Sequence, residues 1–227
     1  MTPPEPPPTD PADAPPLHGY RGVETPAPSA FGPMGATVAV GSEAGSRGVS
    51  VATAVAARLG WDCYPPDALD VLSDDPAALP ELLAALPPGA AAWATRGAAD
   101  LVAARNLADD PAAAVARLVF ALAAKGKCVL IGRGAGFVLP AATTVHLQVV
   151  APFAERGAYL GQWLRLTAEE GEREAVQRDR ARGEFVGLLT DTPLHDPAAY
   201  DLTVNSARLS DAAIVEAVAA LVAARSA

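Results

Sequence analysis

The chain holds 227 residues, 51% of them apolar and 19% charged, enough for one sizeable core and too few for two large domains. Its formal charge is -9 and its pI about 4.8, so no global positive field is present to hold a nucleic acid or an anionic membrane surface. Among its 17 basic residues only Lys125 and Lys127 are lysines, so chemistry that needs a lysine has two candidates.

Cys63 and Cys128 stand far apart in apolar runs, which fits buried thiols in a reducing compartment better than a disulfide framework. His18, His146 and His195 are scattered, and no Cys-x-x-Cys or His-x-x-x-His spacing occurs, which argues against a structural zinc site. The N-terminus lacks a basic segment followed by an apolar one, so no signal peptide is expected. The uncharged stretch from Gly134 to Ala154 is interrupted by Pro140, His146, Gln148 and Pro152, and reads as a loop and buried strand instead of a membrane span. A soluble, cytoplasmic protein is the expectation.

Half of the 22 prolines fall before residue 34. Residues 1–35 contain few large apolar side chains to offset the entropy of ordering, and are expected to form a disordered, partly polyproline tail that could engage a protein partner. The folded domain is expected over 36–227. It opens with a strand, Thr37 to Val40, a glycine-bearing turn and a helix from Val49 to Leu59 that Gly60 ends. Trp61 to Tyr64 reads as a second strand. Residues 66–124 read as helices broken at Pro76, Pro80, Pro87-Pro88-Gly89 and Pro111. Lys127 to Ile131 and Thr144 to Val150 are continuous apolar strands. A helix follows near Pro152 to Leu164, then a charged helix near Ala168 to Phe185, a strand at Leu202 to Val204, and a last helix capped by Ser210. Buried strands alternating with helices imply an α/β fold, a parallel five-stranded sheet with helices on both faces.

Ligands of such sheets bind at the carboxyl ends of the strands. The turn after the first strand lies in VAVGSEAGSRGVSVATAVAARLG, a glycine-rich strand-to-helix junction whose amides could cradle a phosphate. The pattern G-x-x-x-x-G-K-[ST] is not met, because no lysine stands there.

Four segments in order resemble the cytidylate-kinase-like branch of the P-loop nucleoside monophosphate kinases. Gly45-Ser46-Arg47-Gly48, the helix after it and the ending ARLGWDCY resemble the opening strand, phosphate loop, helix and second strand. CVLIGRGAGFVLP, residues 128–140, resembles the turn whose Gly-Arg pair faces the monophosphate. VHLQVVAPFAERGAYL resembles the next strand and a helix bearing a Glu-Arg pair, here Glu155 and Arg156. RDRARGEF and DPAAYDLTVNSARLS resemble an arginine-bearing lid and the terminal strand. The resemblance implies a three-layer P-loop NTPase fold with a lid like that of the monophosphate kinases. It also implies ATP and Mg²⁺ as cofactors, and transfer of the γ-phosphoryl group to a small acceptor such as CMP or dCMP. Gly48 falls where active cytidylate kinases carry the loop lysine, although the cytidylate-kinase-like branch often has glycine there, and Arg47 replaces a loop glycine. The family's Gly-Arg-Asp is reduced to Gly132-Arg133-Gly134, which leaves the substrate base open. The missing lysine and Arg47 also fit a degenerate kinase fold that binds nucleotide or acts as an interaction module.

Phosphoryl transfer needs positioned cations and backbone dipoles more than covalent chemistry. Arg133, at the carboxyl end of an apolar strand, is the candidate for the acceptor phosphate. Arg178 and Arg182, four apart on one helix face, are candidates for closing over the triphosphate. Gly45, Ser46, Arg47, Gly48 and Ser50 form the phosphate loop, with Ser50 matching the family's metal-contacting hydroxyl. Asp67 and Arg96 are candidates for the acceptor side. Arg156 reads as structural or peripheral, and the two lysines precede the third strand, at the wrong end for a ligand.

Overall fold

The computed structural model describes residues 31–226, so most of the expected tail lies outside the described residues. Within them run, in order, β1 (Thr37–Ser42), α1 (Gly48–Leu59), β2 (Asp62–Tyr64), α2 (Pro66–Asp74), α3 (Ala78–Ala84), α4 (Pro88–Ala104) and α5 (Ala112–Lys125). Then come β3 (Cys128–Ile131), α6 (Ala135–Val138), β4 (Thr144–Val150), α7 (Phe153–Leu164), α8 (Ala168–Leu189), β5 (Leu202–Asn205) and α9 (Asp211–Ser226). The five strands form one sheet in the order β2-β3-β1-β4-β5, and every pairing is parallel, with Thr37 of β1 opposite both Cys128 and Thr144.

Both faces of the sheet are covered, so its central strands are buried on both sides: β3 is wholly apolar, while β4 sets Thr144, His146 and Gln148 between its apolar residues. Val38, Val40, Val129, Val145, Leu147 and Val149 point to one side, where they pack on Val51 and Val55 of α1 and Ile214 and Val218 of α9. Ala39, Cys128 and Leu130 point to the other and meet Leu69 of α2, Ala94 and Ala98 of α4 and Leu118 and Val119 of α5. Phe31 at the start of the described chain lies under the Arg96 guanidinium of α4, and Met34 donates its N–H to the Ala124 carbonyl. This segment therefore joins the molecule at the amino end of β3.

Local signals explain most element ends. Gly60 ends α1 in the left-handed conformation at φ 68°, its N–H on the Ala56 and Ala57 carbonyls, the arrangement glycine permits without strain. Thr167 and Glu170 form a reciprocal capping box at the start of α8. That helix runs on to Leu189, beyond the Phe185 expected, because Val186 and Leu189 are buried against the rest of the fold. Lys127 is left out of β3: at φ 50° it forms the turn into it, its N–H on the Ala36 carbonyl. The four-residue α6 has too short a pattern to be read from sequence.

Helices α7 and α8 form an antiparallel hairpin at the carboxyl end of the sheet, joined through glycine. A Cβ on Gly171 would stand 2.1 Å from the Gly157 carbonyl oxygen and 2.7 Å from the Gly161 nitrogen. The two backbones touch directly, and no side chain can come between them.

Two outcomes follow from this packing. Gly171→Ala should lower the unfolding free energy by about 2 kcal/mol in a urea titration, because the added carbon meets backbone that cannot swing aside. His146 sits in β4 with its Nδ1 on the Ala199 carbonyl at 2.7 Å, between the rings of Phe137 and Tyr200. Burial lowers its pKa below the ordinary 6.5, outweighing the Ala199 carbonyl and the Asp201 carboxylate. Below that value the unfolded chain binds a proton that the folded chain resists, so this contribution is complete above pH 6.5 and is lost as pH falls. His146→Gln should flatten the slope of stability against pH in that window, measured by thermal unfolding between about pH 5 and 7.

Candidate functional site

The turn from β1 into α1 is the natural starting point. Arg47 closes it at φ 62°, in the left-handed region, as the residue preceding the first turn of α1. The first helical hydrogen bond runs from Val51 N–H to the Arg47 carbonyl. The amides of Gly48, Val49 and Ser50 thus have no acceptor among the described residues, and no side chain caps the helix. Three amides and the positive end of a 12-residue helix point at whatever enters here.

Those amides open into a cleft of about 540 Å³ bounded by residues 42–50 except Ser46, by Asp67 on α2, by Tyr159 and Trp163 on α7, and by Arg178, Asp179 and Arg182 on α8. Of the expected residues, the fold thereby brings together Gly45, Arg47, Gly48, Ser50, Asp67, Arg178 and Arg182. Arg178 lies over the Trp163 ring and donates to Glu174 at 2.6 Å. Arg182 is only 20% exposed and stands 3.3 Å from Asp179.

Several of these residues serve other ends than those expected. Ser46 is buried, and its hydroxyl donates inward to the Glu43 carbonyl at 2.7 Å and the Val149 carbonyl at 3.0 Å. It is a bolt between loop and sheet, and offers no oxygen to the cleft. Gly45 is the site of a close approach: a Cβ there would lie 2.4 Å from the Arg156 carbonyl oxygen. At Gly48 a Cβ would lie 2.2 Å from the Ser42 Cβ, so the position expected for a loop lysine has no room for a side chain. The Arg47 guanidinium turns toward the start of α9, donating to the Ser206 carbonyl and standing 3.3 Å from Asp211.

Arg133 does not join the cleft. It grips Asp70 of α2 with two donors, Nε to Oδ1 at 2.7 Å and Nη2 to Oδ2, and lies over the Phe185 ring. A bidentate carboxylate already satisfies it. Arg96 stacks on Phe31 and is likewise not part of the cleft wall. Lys125 pairs with Asp62 at 2.7 Å, away from the loop.

Three residues with central places carry little signal in the sequence. Asp179 stands within Arg178-Asp179-Arg180, where a charged, solvated helix explains the same letters. In the fold its Oδ1 accepts the Ala44 N–H at 2.8 Å and its Oδ2 accepts from Arg156 at 2.5 Å. Arg156, only 8% exposed, also donates to the Ala44 carbonyl at 3.2 Å and lies 3.5 Å from Glu43. Expected to be structural or peripheral to the site, Arg156 instead grips three residues of the cleft wall. Trp163 is a large exposed aromatic at the cleft, which only the fold reveals.

The donor set of the cleft fits a polyanion: unpartnered amides at one wall and two guanidinium groups at the other. Ser42 and Ser50 both line the cleft, and Ser50, in the first turn of α1, is the more exposed of the two. Among the described residues no group of three His, Cys, Asp or Glu side chains could cage a metal ion. A divalent cation here would draw its remaining oxygens from a bound ligand and water, the usual habit of Mg²⁺. No described helix is long and apolar enough to cross a membrane.

Comparison with known proteins agrees with this architecture. No curated protein matches the chain. Among solved structures, an uncharacterized protein from Eubacterium ventriosum superposes with a TM-score of 0.57 at 14% identity, covering 82% of this chain and 98% of its own. A Thermus thermophilus protein matches with a TM-score of 0.47 at 18% identity, covering 83% of this chain and 97% of its own. The first likeness supports the fold. The profile of the cytidylate kinase-like family matches residues 37–208, spanning the sheet, the loop and both helices of the hairpin, and the chain belongs to that family.

Proposed function

We propose that the cleft binds the polyphosphate of a nucleoside triphosphate, and that the protein transfers its γ-phosphoryl group to a small acceptor, CMP or dCMP being the first to test. The observation that carries this reading is the meeting of the free α1 amides with Arg178 and Arg182 across one cleft. Backbone dipoles would hold the anhydride while the guanidinium groups face the charge that develops on the transferred group. In the transfer, an oxygen of the acceptor phosphate bonds to the γ-phosphorus as the bond from that phosphorus to the β-bridging oxygen breaks, releasing a nucleoside diphosphate. Asp67, on the α2 wall, offers carboxylate oxygens to a sugar hydroxyl or exocyclic amine of the acceptor. The Ser50 hydroxyl would help hold Mg²⁺, which neutralises phosphate charge when bound. Arg133, paired with Asp70, ties the turn after β3 to α2 and takes no part in the transfer.

A second reading is favoured by the crowding of Gly48 on Ser42 and by the commitment of Arg47 and Arg133 to internal partners. On that reading the fold keeps a nucleotide cleft without transfer, and acts as a binding module.

Two experiments separate them. With Mg-ATP and CMP or dCMP, the purified chain should form nucleoside diphosphates. Arg182→Ala should cut turnover about a hundredfold. Arg133→Ala should change it little while lowering stability by about 1 kcal/mol. ATP binding by calorimetry without turnover on any pyrimidine monophosphate would favour the module, and absence of binding would remove both readings. The second concerns the loop. Gly48→Lys should reduce stability by about 1–3 kcal/mol without raising ATP affinity, whereas pairing it with Ser42→Gly should restore stability, as read from denaturant midpoints.

A further inference from the structure

Asp179 stands in the cleft as an anion already supplied by the protein. Its carboxylate is three-quarters buried, accepts the Ala44 N–H of the loop at 2.8 Å, and is held from behind by Arg156 and Arg182. The cleft thus keeps one of its loop amides, that of Ala44, and one of its lining arginines, Arg182, engaged with the Asp179 carboxylate. An incoming phosphate oxygen seeking the same donors meets a like charge at hydrogen-bonding range, where a partly desolvated site screens repulsion poorly. The proximal part of α8 cannot yield, because Gly171 lies against the α7 backbone. Release must therefore come from the Asp179 side chain or from the distal part of the helix.

We propose that Asp179 is a displaceable internal anion that sets which anions the cleft accepts. A polyphosphate reaches the Gly48 to Ser50 amides, Arg178 and Arg182 together, and so replaces the carboxylate. An anion with a single phosphorus or sulfur centre reaches too few of these donors to do so. The ligand class selected is a chain of at least two phosphoryl groups, and its binding frees Arg182 from Asp179 at the moment the arginine is needed. This inference rests on the reading of the cleft as a polyphosphate site.

The test uses the full chain, inorganic tripolyphosphate and orthophosphate, and calorimetry. Asp179→Asn keeps an oxygen for the Ala44 amide and removes the charge. It should bind tripolyphosphate about tenfold tighter than the wild type and bind orthophosphate measurably, while Asp179→Glu should retain the wild-type discrimination. Equal or weaker tripolyphosphate binding by the Asn variant would overturn the proposal while leaving the polyphosphate site in place. Failure of the folded wild type and of the Asn variant to bind tripolyphosphate at all would overturn the site itself. A measurement on the wild type covers the case in which losing the partner of Arg156 prevents folding. On saturation with tripolyphosphate, the Ala44 amide and Asp179 carboxyl resonances should both shift together with those of Gly48 to Ser50. Shifts confined to Gly48 to Ser50 would show that the carboxylate stays in place, and the proposal would fall.

Discussion

The architecture of the cleft depends on one buried cation. The Arg156 guanidinium reaches the Ala44 carbonyl, the Glu43 carboxylate and the Asp179 carboxylate, so one side chain of α7 fixes both the loop after β1 and the helix that covers it. A charge with so little exposure is tolerable only when opposite charges and acceptors surround it, and two carboxylates and a carbonyl meet that condition. Gly45 makes the contact possible, since a side chain there would strike the Arg156 backbone. The glycine that looks like part of a phosphate cradle is also the clearance through which helix and loop come together.

The loop after β1 contains no lysine, and its side chains are committed to partners within the fold. Ser42 fills the space beside Gly48, Ser46 is bonded inward, and Arg47 adopts a left-handed backbone that costs a non-glycine residue roughly 1–2 kcal/mol. The Arg47 contacts with Ser206 and Asp211 tie the start of α1 to the start of α9 and offset part of that strain. Positive charge then comes from α8 instead of the loop. The net charge of -9 does not decide the field in the cleft, because attraction acts over a Debye length of about 8 Å and depends on local groups.

The parts of this fold that follow from repeating patterns are legible in the sequence. The apolar strands, the glycine that ends α1 and the breaks at Pro76, Pro87-Pro88 and Pro111 each have a local cause, and with them came the sheet and its covering helices. The break expected at Pro80 is absent: that proline lies in the first turn of α3, where its missing N–H costs nothing. The position of α6 and the last turn of α8 depend on burial against distant residues, which no window of sequence contains. For the cleft the division is similar. Arg178 and Arg182 share a helix face by spacing alone, and they do face the loop. Arg133 shows the limit: its place after a strand is readable, whereas Asp70, 63 residues earlier, decides where its guanidinium points. Asp179 was hidden for the converse reason, since a carboxylate between two arginines looks like ordinary surface salting until the loop amide is placed beside it.

The direct contact between the backbones of α7 and α8 carries a mechanical meaning. Helices separated by long side chains can slide as rotamers change, but here Gly171 meets the Gly157 carbonyl with nothing compressible between them. The hairpin behaves near that crossing as one stiff lever. Trp163, on one arm, and Arg178, on the other, hold their spacing however the lever tilts. Widening of the cleft by a tilt of the whole hairpin therefore carries the aromatic and the cation away as a pair, so by that route the entrance changes in width while its chemical character stays the same.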